Sequence, residues 1–159
     1  MSKIAICLWF DNEGEVAAHF YVDLFRRMGR QAAVRSVARY GPGAPKPEGE
    51  VMTVTFTLGE VDFMALNGGP QYPPSPATSL MIHCADQAEL DGFWDGLLDG
   101  GQAVQCGWLT DRFGVSWQVV PADLERLVGG EAATSGRVMK ALMGMIKLDI
   151  AALERAAAS

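Results

Sequence analysis

Residues 7–25, CLWFDNEGEVAAHFYVDLF, combine a strand pattern with a helix pattern. A β-type apolar run over residues 3–10 ends at Asp11, and apolar residues then recur at helical spacing as far as Phe25. Residues 82–98, IHCADQAELDGFWDGLL, repeat this order of strand, aspartate, acidic residue, aromatic residue and leucine about 75 residues later. The chain is therefore predicted to contain two copies of one structural unit.

Each copy continues beyond its helix with further strands. The first helix is predicted to end at Gly29, and three strands follow it, at residues 31–39, 51–58 and 61–66. The second copy is predicted to have a strand, a helix and two more strands, at residues 79–85, 87–98, 103–109 and 115–120. A helical tail follows from Ala122, broken at Gly129-Gly130. The predicted fold class is α+β, with two paired βαβββ modules and a C-terminal helical tail.

The length and composition favour one globular domain. We expect a single domain over residues 1–159, with a first module at about 3–67, a second at about 78–121 and C-terminal helices at about 122–157. The formal net charge is −6, and no run of Lys and Arg is longer than Arg26-Arg27, which predicts no nucleic-acid partner.

The sequence also predicts no membrane span, because no apolar run reaches the roughly 18 residues that a spanning helix needs. The N-terminus becomes acidic before a secretory segment could form. Three separated cysteines without a C-x-x-C pair fit a reducing compartment, so we expect a cytoplasmic location.

Four segments of the sequence resemble one known family. They are residues 7–11, CLWFD; 65–70, ALNGGP; 105–121, QCGWLTDRFGVSWQVVP; and the tail from Arg137 to Leu153. Together they resemble the PhnB-like proteins, often labelled demethylubiquinone 3-methyltransferase-like, of the glyoxalase or vicinal oxygen chelate superfamily. The resemblance covers about residues 3–155. It implies paired βαβββ modules that each half-wrap a pocket, and commonly a homodimer, so we expect a homodimer here.

The resemblance also bears on metal binding. Metal-dependent members of the superfamily use one ligand, typically His or Glu, from each of four strands, and the resemblance places these positions near Ile4, Ala65, Leu80 and Gln118. The first three side chains cannot bind a metal, and one neutral amide is a poor ligand set. We therefore expect no metal and no cofactor. Period-2 alternation separates His83 from Leu80, so His83 is expected to point away from the pocket.

Alternation along the strands predicts the pocket. If Gln118 faces it, Ser116 and Val120 face it too, while Trp117 belongs to the core. The same parity assigns to the pocket alternate residues of the first and fourth strands, namely Ile4, Ile6, Leu8, Phe10, Phe63, Ala65 and Asn67.

The candidate ligand-binding residues are mostly apolar, with a few convergent polar groups. They are Leu8, Phe10, Asn67, Cys106, Trp108, Ser116 and Gln118. The alternative is that these residues fill a closed core, in which Asn67 sets a turn, Cys106 is an inert thiol and Trp108 is a core filler.

Two main functions remain open on the sequence alone. One is a metal-independent module that binds a small apolar or aromatic ligand in the pocket between the modules. The other is an enzyme of the superfamily, either a lyase, isomerase or dioxygenase, or a methyltransferase as the family label suggests. No residue stands out as catalytic. A structural dimer without a ligand is a third alternative.

Overall fold

The repeat in the sequence corresponds to two similar units in the structure. In this computed structural model, which describes residues 4–159, one compact unit ends at Pro74 and the other runs from Ser75 to Ser159. Each unit contains a strand, a helix and three further strands in that order, so each is one β-α-β-β-β module.

The first module forms one four-stranded sheet with a helix. Its elements are β1 Ile6–Phe10, α1 Gly14–Arg27, β2 Ala32–Arg39, β3 Val51–Leu58 and β4 Val61–Asn67. The sheet order is β1-β4-β3-β2, with β1 parallel to β4 and the other neighbours antiparallel. Helix α1 packs on the sheet through buried apolar residues such as Tyr21, whose ring lies 6.3 Å from that of Phe56, and Phe56 stacks on Phe63 at 5.1 Å. These contacts identify the face of the first sheet that α1 covers.

The second module repeats this arrangement. Its elements are β5 Ser79–Cys84, α2 Gln87–Leu98, β6 Gln102–Ala103, β7 Trp108–Thr110 and β8 Ser116–Pro121, and the sheet order is β5-β8-β7-β6. The single strand predicted at 103–109 is two short strands, because Cys106 and Gly107 have φ angles of 61° and 81°. Extended strand requires negative φ, so the chain turns away from the sheet at this point.

The tail is helical as expected and belongs to the second unit. It consists of α3 Leu124–Val128, α4 Ala132–Met143 and α5 Ile150–Ala158. The predicted break at Gly129-Gly130 is present, and a second break follows Met143. Gln87 on α2 holds this second break: its Nε2 donates to the carbonyl of Leu148 at 3.0 Å, and its Oε1 accepts from Ile150 N at 2.9 Å.

The predicted α+β class, with two βαβββ modules and a C-terminal helical tail, is confirmed. Besides the divided strand at 103–109, the bounds differ at β1, which begins at Ile6; Lys3, where the strand was predicted to start, lies outside the described residues. None of the helices within residues 4–159 is both long and apolar enough to cross a membrane.

Candidate functional site

Each sheet has a face covered by its own helix and a face turned away from it, which we call the far face. In the first sheet, Leu8 pairs with Ala65 and Phe10 pairs with Asn67 across β1 and β4, so these four side chains share one face of the sheet. A Cβ placed on Gly14 of α1 would lie 3.2 Å from the Ala65 side chain and 2.7 Å from Asn67 Oδ1, so this group faces the helix. Leu8, Phe10 and Asn67 were predicted to lie on the pocket face of their strands; they face α1 instead.

Asn67 is 4% exposed and its side chain is fully engaged within the first module. Its Oδ1 accepts from Gly14 N at 2.8 Å, and its Nδ2 donates to the carbonyl of Val51 at 3.1 Å. The backbone carbonyl of Asn67 also accepts from the Tyr40 hydroxyl at 2.6 Å. Asn67 therefore caps α1 from a strand distant in sequence, whereas no residue directly before α1 supplies a side-chain cap.

The far face of the first sheet carries an aromatic corner. Trp9 lies against Gly68, where any Cβ would collide with the indole, and its Nε1 donates to the carbonyl of Gly69 at 2.8 Å. Tyr72, which is 66% exposed, meets Trp9 edge to face at 5.0 Å. Cys7 lies on the same face, and burial raises the pKa of its thiol, so the thiol is protonated at neutral pH.

In the second sheet the helix-covered face is the apolar one. Alternate residues of its strands are almost completely buried, and α2 packs on these strands; they are Leu80, Ile82, Leu109, Trp117 and Val119. Trp117 is therefore core, as predicted. Leu80 was expected on the ligand-facing side and His83 on the opposite side, and both expectations are wrong, because Leu80 faces α2 and His83 lies on the far face.

The far face of the second sheet brings together the candidate polar groups of this module. Met81, Gln118 and Trp108 form one row across β5, β8 and β7. Ser79 and Ser116 belong to the next row. Ser116 is 3% exposed, Gln118 and Trp108 are half-buried, and Met81 is 46% exposed, so the row has apolar surface and a polar centre within reach of solvent.

Ser79 orients the Gln118 amide. Gln118 Nε2 donates to Ser79 Oγ at 2.9 Å, and within residues 4–159 the amide oxygen of Gln118 makes no hydrogen bond. Since no buried side-chain nitrogen or oxygen among the described residues lacks a partner, this oxygen is not sealed away from solvent. Gln118 thus presents one fixed acceptor on the far face.

Cys106 has a structural setting. Its φ of 61° is in the left-handed region that few side chains adopt, its N donates to the carbonyl of Met145 at 2.9 Å, and Gly107 N donates to that of Ile146 at 2.8 Å. These two bonds join the β6–β7 connection to the tail, so the Cys106 backbone contributes to docking the tail.

Asp111 organises the turn before β8. Its Oδ1 accepts from Phe113 N at 2.8 Å and Val115 N at 3.0 Å, and its Oδ2 accepts from Trp117 Nε1 at 2.8 Å. With 3% exposure, this carboxylate is fully committed to structure.

The residues at the superfamily's metal positions do not form a ligand set. Ile4 is 81% exposed and apolar, Ala65 and Leu80 face their own helices, and Gln118 offers one neutral amide. Within residues 4–159 no three His, Cys, Asp or Glu side chains are grouped closely enough to hold a metal ion. A metal centre of the superfamily type therefore does not fit the described side chains.

The comparisons with known proteins agree with this architecture. The order β-α-β-β-β in each module is that of the glyoxalase, or vicinal oxygen chelate, fold. The family model described as 3-demethylubiquinone-9 3-methyltransferase matches residues 2–120, and the chain belongs to this family.

Two solved structures illustrate the likeness. A PhnB protein from Bacillus cereus, provisionally described as a 3-demethylubiquinone-9 3-methyltransferase, is 32% identical, with a TM-score of 0.66, and the match covers 75% of this chain and 99% of that one. Protein PA1353 from Pseudomonas aeruginosa is 23% identical, with a TM-score of 0.59 and coverage of 76% and 97%, and it shows the fold alone. Among curated proteins, none matches the chain.

Sequence reasoning missed Ser79 and Met81 as members of the candidate site. Both lie on the far face beside Gln118, and Ser79 bonds to it directly. The available signal was the alternation in residues 79–84, SLMIHC, whose most apolar set is Leu80, Ile82 and Cys84. A helix covers the more apolar face of a sheet, so Ser79, Met81 and His83 could have been assigned to the far face.

Proposed function

We propose that the protein binds a small, largely apolar or aromatic molecule on the far face of the second sheet, without the help of a metal. The observation that carries the proposal is the Gln118 amide, held by Ser79 with its oxygen unengaged. Ligand sites are mostly apolar surfaces with a few fixed polar groups that set orientation. The far face of the second sheet has this composition.

The apolar part of the proposed site is the row through Met81, Gln118 and Trp108. Half of the Met81 surface and part of the Trp108 ring remain accessible, and a flexible thioether beside a flat indole suits an aromatic guest. The Gln118 oxygen would accept from an N–H or O–H group of that guest. The expected specificity is therefore for an aromatic compound with one hydrogen-bond donor.

Metal independence rests on the chemistry of the available donors. On this face the row through Gln118 supplies a thioether, a neutral amide and an indole, and Ser79 supplies a hydroxyl. Hard and borderline divalent ions prefer several carboxylates or imidazoles. These groups are better suited to a neutral organic ligand.

A thermal-shift screen tests the proposal with phenols, anilines and indoles as probes. Some of these compounds should raise the melting temperature of the wild-type protein, because a ligand that binds only the folded state stabilises it. The same compounds should give no shift with Gln118→Ala or Trp108→Ala. Gln105→Ala is the matched control, because Gln105 is an exposed glutamine of the same module whose side chain makes no hydrogen bond within residues 4–159, and it should keep the full shift. Shifts that survive Gln118→Ala and Trp108→Ala would refute this site.

Accessibility of the face can be tested without a ligand. Gln118→Glu places a carboxylate on the far face and should lower the melting temperature by less than about 5 °C. Val119→Glu, one residue along and directed at α2, is the contrasting variant and should prevent folding or lower the melting temperature far more, because a buried unpaired charge is very costly. Equal losses in the two variants would mean that the far face is closed.

An enzyme of the family is the second candidate, and the family's description as a methyltransferase favours it. Metal analysis of protein purified without chelators discriminates between a metal-dependent superfamily enzyme and simple binding. A stoichiometric divalent ion would favour the enzyme. Transfer of a methyl group from an added sulfonium donor to the ring hydroxyl of a demethylated quinone by the purified protein, with release of the thioether and a proton, would favour the methyltransferase.

A further inference from the structure

The first module has a basic cavity that the proposed function does not use. An open cavity of about 310 Å³ lies where α1 ends and β2 begins, and its lining includes Arg26, Arg30 and Arg35. None of the described residues that line it is acidic; the others are Gln31, Ala32, Ala33, Thr57 and Gly59. Small-molecule sites begin at roughly this volume.

The charge around this cavity is a local exception in an acidic chain. The formal net charge is −6, yet residues 24–47 contain five arginines, one lysine and no aspartate or glutamate. Like charges held near one another repel, and a bound anion would remove that repulsion. The cavity therefore provides a positive potential that the rest of the composition does not predict.

Local structure leaves guanidinium groups available at the cavity. Arg26 donates from Nε to the carbonyl of Ala32 at 2.8 Å, which fixes the group and leaves its two terminal nitrogens without a partner among residues 4–159. Arg35 lies in a β-bulge, between the register positions of Val34 and Ser36, and has no partner within the same residues. A bulge redirects a side chain from the regular alternation of a strand.

Two structural explanations for these arginines are incomplete. Arginines in the last turn of a helix offset its dipole, which accounts for Arg26 but not for Arg35 on β2. The strand register places one carboxylate, Asp62, opposite Thr57, but Asp62 is not among the lining residues.

We propose that the cavity lined by Arg26, Arg30 and Arg35 binds a phosphate-type oxyanion, either inorganic phosphate or the phosphate group of a small ester. The planar guanidinium fork matches two oxygens of a phosphate group, and several arginines suit a doubly charged group better than a carboxylate. The site lies in the first module, so it stands or falls independently of ligand binding on the second sheet.

Calorimetric titration tests the site with inorganic phosphate, phenyl phosphate and acetate at constant ionic strength. Phosphate or phenyl phosphate should bind, and Arg35→Gln should weaken that binding by roughly 10-fold, the effect of one lost charged hydrogen bond. The Arg35 side chain makes no hydrogen bond or ion pair within residues 4–159, so this variant should melt at the wild-type temperature. Tighter binding of phenyl phosphate than of phosphate would identify the ester as the preferred source, and the reverse would identify the free ion.

Arg27→Gln is the matched control. Arg27 is adjacent to Arg26 on α1 and carries the same charge, but it does not line the cavity. This variant should change the affinity by less than about 2-fold, because diffuse surface charge is largely screened by salt. Equal weakening by Arg27→Gln and Arg35→Gln, binding of acetate as strong as that of phosphate, or no binding of either phosphate below about 10 mM would each overturn the proposal.

Discussion

Asn67 shows how one residue can have two plausible roles that only its contacts separate. A buried amide at the end of a strand resembles a ligand-binding group, yet both polar ends of this side chain bond within the module. Its Oδ1 accepts from Gly14 N and so supplies the cap that no side chain next to the start of α1 provides. Its Nδ2 donates to the carbonyl of Val51 on β3. Asn67 therefore joins the helix to the sheet. Its role in ligand binding remains a prediction, which these hydrogen bonds do not support because both polar ends of the amide are already engaged.

Asn67→Ala should destabilise the first module by about 1–3 kcal/mol, because it removes a helix cap and leaves one buried and one partly buried backbone group without this partner. Urea unfolding measures the change. Asn12→Ala is the control: Asn12 is exposed at the helix start and makes no cap bond, so its loss should change stability by less than about 0.5 kcal/mol. Similar losses for the two variants would contradict the cap assignment.

Asp111 provides a second test at the residue scale. Its carboxylate accepts hydrogen bonds from three N–H groups. Asp111→Asn replaces one acceptor oxygen by an NH₂ group that would face an N–H donor, so it should lower the free energy of unfolding by about 1–3 kcal/mol. Asp99→Asn removes only an exposed ion pair to Arg112 and should cost less than about 1 kcal/mol. A thermal or urea denaturation series compares the two, and an equal effect would argue against the buried network.

The elements were largely predictable from the sequence, and the orientation of their faces was not. Apolar periodicity and turn residues give β3 and α2 with the observed bounds, because local propensity and tertiary packing agree there. The strand predicted at 103–109 is interrupted because the N–H groups of Cys106 and Gly107 bond carbonyls of the tail, a long-range effect that a local sequence pattern cannot contain.

The faces were assigned wrongly for a related reason. Family positions were carried over by alignment, and in a strand an error of one residue moves every side chain to the opposite face. The error affected Leu8, Phe10 and Asn67 in the first sheet and Leu80 and His83 in the second, whereas Ser116, Trp117 and Gln118 were assigned to the faces they occupy. In both modules, the more apolar set of alternate strand residues lies on the face that the helix covers, so this pattern alone would have assigned the faces correctly.

Docking of the tail gives a prediction at the element scale. A Cβ on Gly107 would lie 3.0 Å from both the Leu148 side chain and the carbonyl of Val119, at a φ of 81°. Gly107→Ala should therefore destabilise the second unit by about 2 kcal/mol or more. Gly136→Ala, in open space on α4, should stabilise it by about 0.5–1 kcal/mol. Denaturant unfolding distinguishes them, and a neutral effect of Gly107→Ala would contradict the docking.

The ion pair between Asp91 on α2 and Lys147 adds a pH-dependent contact to the tail. Hydrogen bonds from Gln87 and Lys147 lower the pKa of Asp91, so its contribution is complete above the unfolded pKa of about 4 and is lost as pH falls through the lower folded pKa. Both side chains are about 40% exposed, which limits the effect to less than about 1 kcal/mol. Asp91→Asn should be slightly less stable than wild type at pH 7 and equal to it at pH 2; a difference that grows in acid would contradict this.

At the scale of the whole molecule, the internal repeat was the strongest signal. Residues 7–25 and 82–98 predicted two like modules, and the family resemblance predicted the same fold, which the strand orders confirm. The assembly of the protein is a proposal: as the resemblance implies, we expect a homodimer. Sedimentation equilibrium should give twice the 17.1 kDa mass of the chain, and a single 17.1 kDa species at micromolar concentration would contradict it.

On the far face of the second sheet, the Gln118 amide and the Trp108 ring are expected to bind a small organic ligand. The most direct measurement is a crystal structure of the protein as purified, with anomalous data collected to identify any metal. We expect density of a small organic molecule within about 3.2 Å of the Gln118 amide and in contact with the indole of Trp108. A metal ion bound on this face, or protein side chains filling it completely, would refute ligand binding by Gln118 and Trp108.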